Sequence, residues 1–431
     1  MKYYSLNKTA PKVTFKEAVI RGIAQDKGLY FPEQITPLPP SFFKEIDSIS
    51  NHEIAFEVIK QFIGDAISEN SLKEIISETL AFDFPLISLQ NDIATLELFH
   101  GPTMAFKDVG ARFMARCLGY FNKQNNTQNV TVLVATSGDT GGAVASGFLG
   151  VKGVDVVILY PRGKVSNVQE KQLTTFGENI TALEVSGTFD DCQAMVKKAF
   201  LDAELNTKLN LTSANSINVA RWLPQMFYFF FAYKQLKVKG KDLVFSVPSG
   251  NFGNICAGIM AQKLGLPVKH FIAATNCNDI VPNYLETGNF NPKPSKQTIS
   301  NAMDVGNPSN FVRILELFDN NITDLKNNFS SYSFSDDDTR EAIVKLKEEA
   351  NYIADPHGAV GYLGLKKYFK NHSGQGIFLE TAHPIKFLNV VEPLIKEKIQ
   401  IPKQIKSVLN KDKKAVQIKS YQDLKQQLLR E

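Results

Sequence analysis

Cysteine is scarce in this chain of 431 residues. The four present, Cys117, Cys192, Cys256 and Cys277, are far apart and form no C-x-x-C pair. That argues against a disulfide framework and a zinc module, and it fits a reducing cytoplasm. Charge of one sign is lacking too. Lys plus Arg number 48 against 44 acidic residues, and a net charge of +4 is too slight to indicate a nucleic-acid or membrane-surface protein. There is no long apolar run. The greasiest stretch, WLPQMFYFFFAY (222–233), is interrupted by Pro224 and Gln225 and ended by Lys234. It falls short of the ~20 residues a bilayer requires and reads as a buried helix. The N-terminal MKYYSLNKTAPKVTF lacks the apolar region of a signal peptide. The six histidines show no H-E-x-x-H or similar spacing, so no metal site is expected. The dinucleotide and P-loop fingerprints are absent.

What remains is an ordinary globular composition, 43% hydrophobic and 21% charged, with ample chain for two or three domains. Residues 1–80 carry helical spacing in TFKEAVIRGIAQ, EIAFEVIKQFI and SLKEIISETL, with Thr14 as an N-cap, and little there reads as strand. The pattern predicts a mostly helical N-terminal domain. From about residue 90 the grammar changes. VTVLVA (130–135), VDVVILY (154–160), NITALEV (179–185), DLVFSV (242–247), VKHFIAA (268–274) and GIFLE (376–380) alternate with helical segments. Near-continuous apolar strands between helices predict an α/β region over 90–400, built on parallel sheet covered on both faces. Its small lobe is placed at roughly 128–225. Residues 287–310, rich in Asn, Pro and Ser, predict a long ordered loop of the kind that often carries function. The Lys-rich 401–431 segment reads as a solvated closing piece.

Three constellations carry chemistry. In GPTMAFKDVGARFMARCLGYF (101–121), a helix from Ala105 gathers Asp108, Arg112, Arg116 and Lys123 on one side. Lys107 instead shares a stripe with Ala111, Met114, Leu118 and Phe121. A lysine heading an apolar stripe is directed inward, where desolvation favours the neutral amine that condenses with a carbonyl. The same pattern fits a lysine snorkelling at a helix end. ATSGDTGGA (135–143) and SGNFGN (249–254) each join a strand to a helix through small residues, and such turns present backbone N–H groups to anions. Ser137 and Thr140 add hydroxyl donors, although the first turn also fits an ordinary tight connection. Two anion-shaped turns and one inward lysine suit a cofactor that is both aldehyde and phosphate, pyridoxal phosphate, with a second phosphate left for the substrate.

These motifs, in this order, resemble the threonine synthase family, pyridoxal-phosphate enzymes of the tryptophan-synthase-β-like fold. FKEAVIRGIAQDKGLYFP (15–32) is similar to that family's N-terminal domain, and the likeness runs along nearly the whole chain. The resemblance implies that Lys107 is the Schiff-base lysine. It gives Gly250, Asn251, Phe252, Gly253 and Asn254 the cofactor phosphate, and sets Asp139 beside the cofactor ring oxygen. Shorter family members carry Asn where Asp139 stands. Thr381, in LETAHPIKF, would face the pyridine nitrogen. Ser137, Thr140, Asn215 and Arg221, the last two in ANSINVAR, would bind substrate. The implied reaction is conversion of O-phospho-L-homoserine and water to L-threonine and phosphate, with a serine or threonine dehydratase on the same scaffold as the rival reading. A dehydratase would need no second phosphate site, so Asn215 and Arg221 discriminate. No feature points to nucleic acid, membrane or an obligate protein partner. His100 and His383 lie beside matched motifs, as cleft-lining or packing residues. Cys256 is expected to be buried and inert.

Overall fold

The computed structural model describes residues 1–90, 92–125, 129–236 and 240–429. Every strand read from the sequence is present, within a residue or two of the expected bounds. They form two sheets. The larger has six strands in the order Phe329–Ser333, His270–Thr275, Leu243–Pro248, Gln375–Glu380, Ile93–Glu97 and Leu86–Gln90. All neighbours run parallel except the last pair. The smaller has five parallel strands in the order Val416–Ile418, Ile180–Val185, Val154–Pro161, Val130–Ala135 and Asn210–Ser213. The strands Leu243–Pro248 and His270–Thr275 are buried at every position, as helices on both faces require.

The apolar 222–233 stretch is buried. Pro224, lacking an N–H, sits in a 3₁₀ turn at Leu223–Met226, and the helix resumes over Phe227–Gln235. A helix apolar all round belongs in a core, and Phe227, Phe229, Phe230 and Phe231 are wholly covered. Among the described residues no helix is long and apolar enough to cross a membrane.

One expectation needs an addition and one a correction. The N-terminal region is mostly helical as expected, with helices at Phe15–Arg21, Asn51–Ile63 and Glu69–Thr79, the first capped by Thr14 as expected and closed into a capping box by Glu17. It also holds a three-stranded antiparallel sheet, Val13–Thr14, Lys2–Ser5 and Tyr30–Pro32. Strands of two to four residues are too short to display alternation. Nor is the C-terminal segment merely solvated. Val416–Ile418 adds an edge strand to the smaller sheet, and Ile405, Ile418, Leu424 and Leu428 are buried. Residues 430 and 431 of that segment lie outside the described residues.

The 287–310 loop is ordered around one half-buried carboxylate. Asp304 accepts from the Thr298 N–H (3.0 Å), the Thr298 hydroxyl (2.7 Å) and the Asn276 amide (2.9 Å). Burial pushes its pKa up to about 6 against those donors.

Parallel strands deliver their carboxyl ends to one side, where α/β proteins bind ligands. Val130–Ala135 runs into the 135–143 turn, Leu243–Pro248 into the 249–254 turn, and Gln375–Glu380 into Thr381. These three ends meet.

Candidate active site

They enclose a cavity of about 510 Å³, the scale of a small-molecule site. Lys107, Ser137, Thr140, Asn215, Arg221, Gly250, Asn251, Phe252, Gly253, Asn254 and Thr381 all line it. Residues from five separated stretches of sequence are thus brought together.

Lys107 opens the helix Lys107–Asn125. Ala111, Met114, Leu118 and Phe121, its stripe partners, are all buried. The helix start is stapled to the floor of the cavity: the Phe106 N–H donates to the Thr381 carbonyl (2.9 Å), and the His383 N–H donates to the Met104 carbonyl (3.1 Å). Desolvation lowers the Lys107 pKa, Asp139 opposes that shift, and the positive charges of Lys386 and Arg221 add to it. The net direction favours the neutral, nucleophilic amine. Asp108 does not join a solvent-facing charged side. It is buried and accepts from the N–H (2.9 Å) and hydroxyl (2.5 Å) of Thr103.

Arg221 is 3% exposed, yet no carboxylate lies within ion-pair distance of it among the described residues. Desolvation brings its pKa down to about 10, with Asp108 opposing. Its Nε donates to the Ala214 carbonyl (2.8 Å), and one terminal nitrogen donates to the carbonyl of Lys107 itself (2.9 Å). Gly110 makes that approach possible, because a Cβ there would sit 2.4 Å from the Arg221 carbonyl oxygen. The arginine expected to hold substrate therefore also anchors the lysine helix. Asn215 reaches the Ala135 carbonyl at 3.4 Å and so bridges two walls.

Asp139 departs from expectation. It is absent from the cavity wall and pairs with Lys386 at 2.8 Å, both side chains buried, while Gln169 donates to the same oxygen at 3.0 Å. Burial alone would raise the Asp139 pKa, but Lys386, and behind it Lys107, hold it below the usual carboxylate range. Sequence reasoning missed Lys386, although it stands in the quoted LETAHPIKF and is a lysine within apolar neighbours, the signal that drew notice to Lys107. It also missed His357, which lines the cavity, accepts from the Ala302 N–H through Nε2 (3.1 Å), and meets Asp355 through Nδ1 (2.5 Å). His383 and His100 are packing groups outside the cavity wall. The first caps the turn Pro384–Phe387, and burial brings its pKa down to about 4; the second pairs with Glu97. Burial pushes the Cys256 thiol up to about 12, so it is inert as expected.

The turn 249–254 fits a phosphate ester. The N–H groups of Gly250 through Asn254 donate to no acceptor among the described residues, and they gather at the start of the helix Gly253–Lys263. Phe252 takes the left-handed conformation at φ 59°. The Asn254 side-chain nitrogen is buried without a partner. A Cβ on Gly250 would lie 2.7 Å from the Met303 Cα and 2.8 Å from the Ala302 carbonyl oxygen, so the concavity depends on its absence. With the Lys107 amine across the same cavity, the residues present suit pyridoxal phosphate.

Comparison with known proteins agrees. The family of pyridoxal-phosphate dependent enzymes matches residues 85–378. The threonine synthase N terminus matches residues 2–80, and the threonine synthase C-terminal family matches 358–428. The threonine synthase of Escherichia coli K12 is 45% identical over 409 residues, covering 94% of each chain. Its crystal structure superposes with a TM-score of 0.94 at 42% identity over 100% of both chains. A pyridoxal-phosphate-bound threonine synthase from Brucella melitensis gives 0.93 at 33% identity, over 99% of this chain and 98% of that one. The chain belongs to the threonine synthase family of pyridoxal-phosphate-dependent lyases.

Proposed function

We propose that this enzyme converts O-phospho-L-homoserine and water to L-threonine and phosphate. The observation that carries the substrate is Arg221, a buried guanidinium without a carboxylate partner in the wall of the cavity that Lys107 enters. A γ-phosphate near two negative charges supplies the missing counterion. Ser137, Thr140 and Asn215 complete its neutral donors. The 250–254 turn holds the cofactor phosphate, Lys107 takes the cofactor aldehyde, and Thr381 lies toward the ring nitrogen. When bound, the cofactor supplies an electron sink for charge developing on the substrate carbons. The Lys107 amine, freed when substrate arrives, takes and returns protons at Cα, Cβ and Cγ in turn. Phosphate leaves from Cγ, and the hydroxyl enters at Cβ from water. Asp139 serves from outside the cavity by holding Lys386. We read residues 1–80 as the N-terminal unit, 90–400 as the catalytic region, and 401–431 as a segment that closes the small lobe. Four free thiols suit a cytoplasmic setting.

The test is direct. Incubation with O-phospho-L-homoserine should yield L-threonine and phosphate in equal amounts. Release of a 2-oxo acid from L-serine or L-threonine, with phosphohomoserine untouched, would make it a dehydratase. Arg221→Ala should lower kcat/KM for phosphohomoserine by roughly tenfold to over a hundredfold, the loss of one charge-assisted bond of about 1.5–3 kcal/mol.

A further inference from the structure

Arg313 lies wholly out of solvent, outside the cavity, with its guanidinium 4.3 Å from the centre of the Trp222 ring. It donates to the carbonyls of Tyr30 (3.0 Å), Ser216 (3.0 Å) and Ile217 (2.6 Å), and to the Asn310 side-chain oxygen (2.7 Å). Burial brings its pKa down to about 10, opposed by Cys256 and Tyr3 and by no carboxylate among the described residues. A buried cation without a counterion is costly to keep, and this one spends its donors on neutral oxygens from two distant segments and from Asn310 at the start of its own helix.

Asn310 passes the grip on. Its backbone N–H (3.3 Å) and its side-chain nitrogen (3.1 Å) both donate to the carbonyl of Asn251, in the middle of the 249–254 turn. The same side-chain nitrogen donates to the Ser216 hydroxyl at 2.9 Å. The intervening peptide is planar and trans, so drawing the Asn251 carbonyl toward Asn310 turns the Phe252 N–H to the opposite side. That N–H meets no acceptor among the described residues.

We propose that Arg313 is a positioning residue for the cofactor. Through Asn310 it sets the Asn251–Phe252 peptide so that the amides of the 250–254 turn converge on the phosphate. By way of the Tyr30 carbonyl it also ties the N-terminal domain to that turn. The inference rests on the reading that this turn holds the cofactor phosphate.

The experiment compares pyridoxal phosphate with pyridoxal, which lacks the phosphate. Each is titrated into full-length protein freed of cofactor, as wild type, Gly250→Val, Arg313→Lys and Asn310→Ala. Wild type should prefer the phosphorylated form, and Gly250→Val should abolish the preference. Lysine keeps the charge at 313 but cannot span four acceptors. Asn310→Ala and Arg313→Lys should each reduce the preference by roughly tenfold, the loss of one or two hydrogen bonds, with pyridoxal binding unchanged. If Asn310→Ala keeps the full preference while Gly250→Val loses it, the inference is overturned and the phosphate turn stands. Equal weakening of both probes assigns the pair a general structural role and also overturns it. A Gly250→Val protein with wild-type preference overturns the turn assignment and the inference together. Should Arg313→Lys fail to fold, Asn310→Ala decides alone.

Discussion

The two strand-to-helix turns that face the cavity are built in opposite ways. The 249–254 turn is held from outside. Asn310 and Ser309 bind Asn251, and the Ala302–Met303 backbone leaves no room for a side chain at Gly250. The 135–143 turn is held from within. The Thr136 hydroxyl accepts from the N–H groups of Gly138 (2.9 Å) and Gly141 (2.9 Å) and donates to the Gly138 carbonyl (3.1 Å). Its main tie to the larger lobe is the buried Asp139–Lys386 pair. The first is a fixed mould and the second a self-contained turn on an ionic tether. That difference matches a resident cofactor on one side and a substrate that comes and goes on the other.

The contrast breaks most sharply at Gly250. Its surroundings are backbone atoms that cannot give, so Gly250→Val must displace the turn by the better part of an ångström. Cofactor affinity should fall by roughly a hundredfold, while circular dichroism reports a folded protein. Unchanged affinity would show that the mould lies elsewhere.

The tether breaks at Asp139. Asp139→Asn leaves Lys386 buried without its counter-charge, and denaturant unfolding at neutral pH should report a loss of about 3–5 kcal/mol. The pH dependence has a definite sign. The Asp139 pKa is depressed in the folded state, so its contribution is complete above the unfolded value of about 3.9 and is lost as pH falls toward the lower folded value. The gap between wild type and Asp139→Asn should be constant near neutrality and narrow only below about pH 4. A gap that narrows between pH 6 and 8 would contradict this.

The smallest effect belongs to Thr136→Val, which leaves the buried Gly138 N–H unpaired at a cost of about 1–3 kcal/mol, while the Gly141 N–H keeps its bond to the Gly138 carbonyl (3.1 Å). It should raise the substrate KM and leave the cofactor affinity unchanged. Equal damage to both would erase the distinction between the two turns.

The long buried strands were legible because each is apolar on both faces, and the two turns because small residues follow those strands directly. The N-terminal sheet and the Val416–Ile418 strand were hidden by shortness, the latter also by surrounding lysines. Lys107, Arg221 and the 250–254 turn were expected in the site and line the cavity. Their tethers could not be read, because they are long-range. Asp139 and Lys386 are 247 positions apart, and Arg313 reaches a carbonyl 283 positions away. That Arg221 spends two donors on carbonyls was equally hidden, since free carbonyls leave no mark in a sequence.

The account turns on which lysine takes the cofactor aldehyde. Lys107 lines the cavity, whereas Lys386, more deeply buried, is locked to Asp139. Borohydride treatment of the cofactor-loaded protein, followed by digestion and peptide mapping, reads the answer directly. The pyridoxyl mass should fall on Lys107, and Lys107→Ala should carry none and turn over nothing. Label on Lys386, or on no lysine at all, would contradict the account.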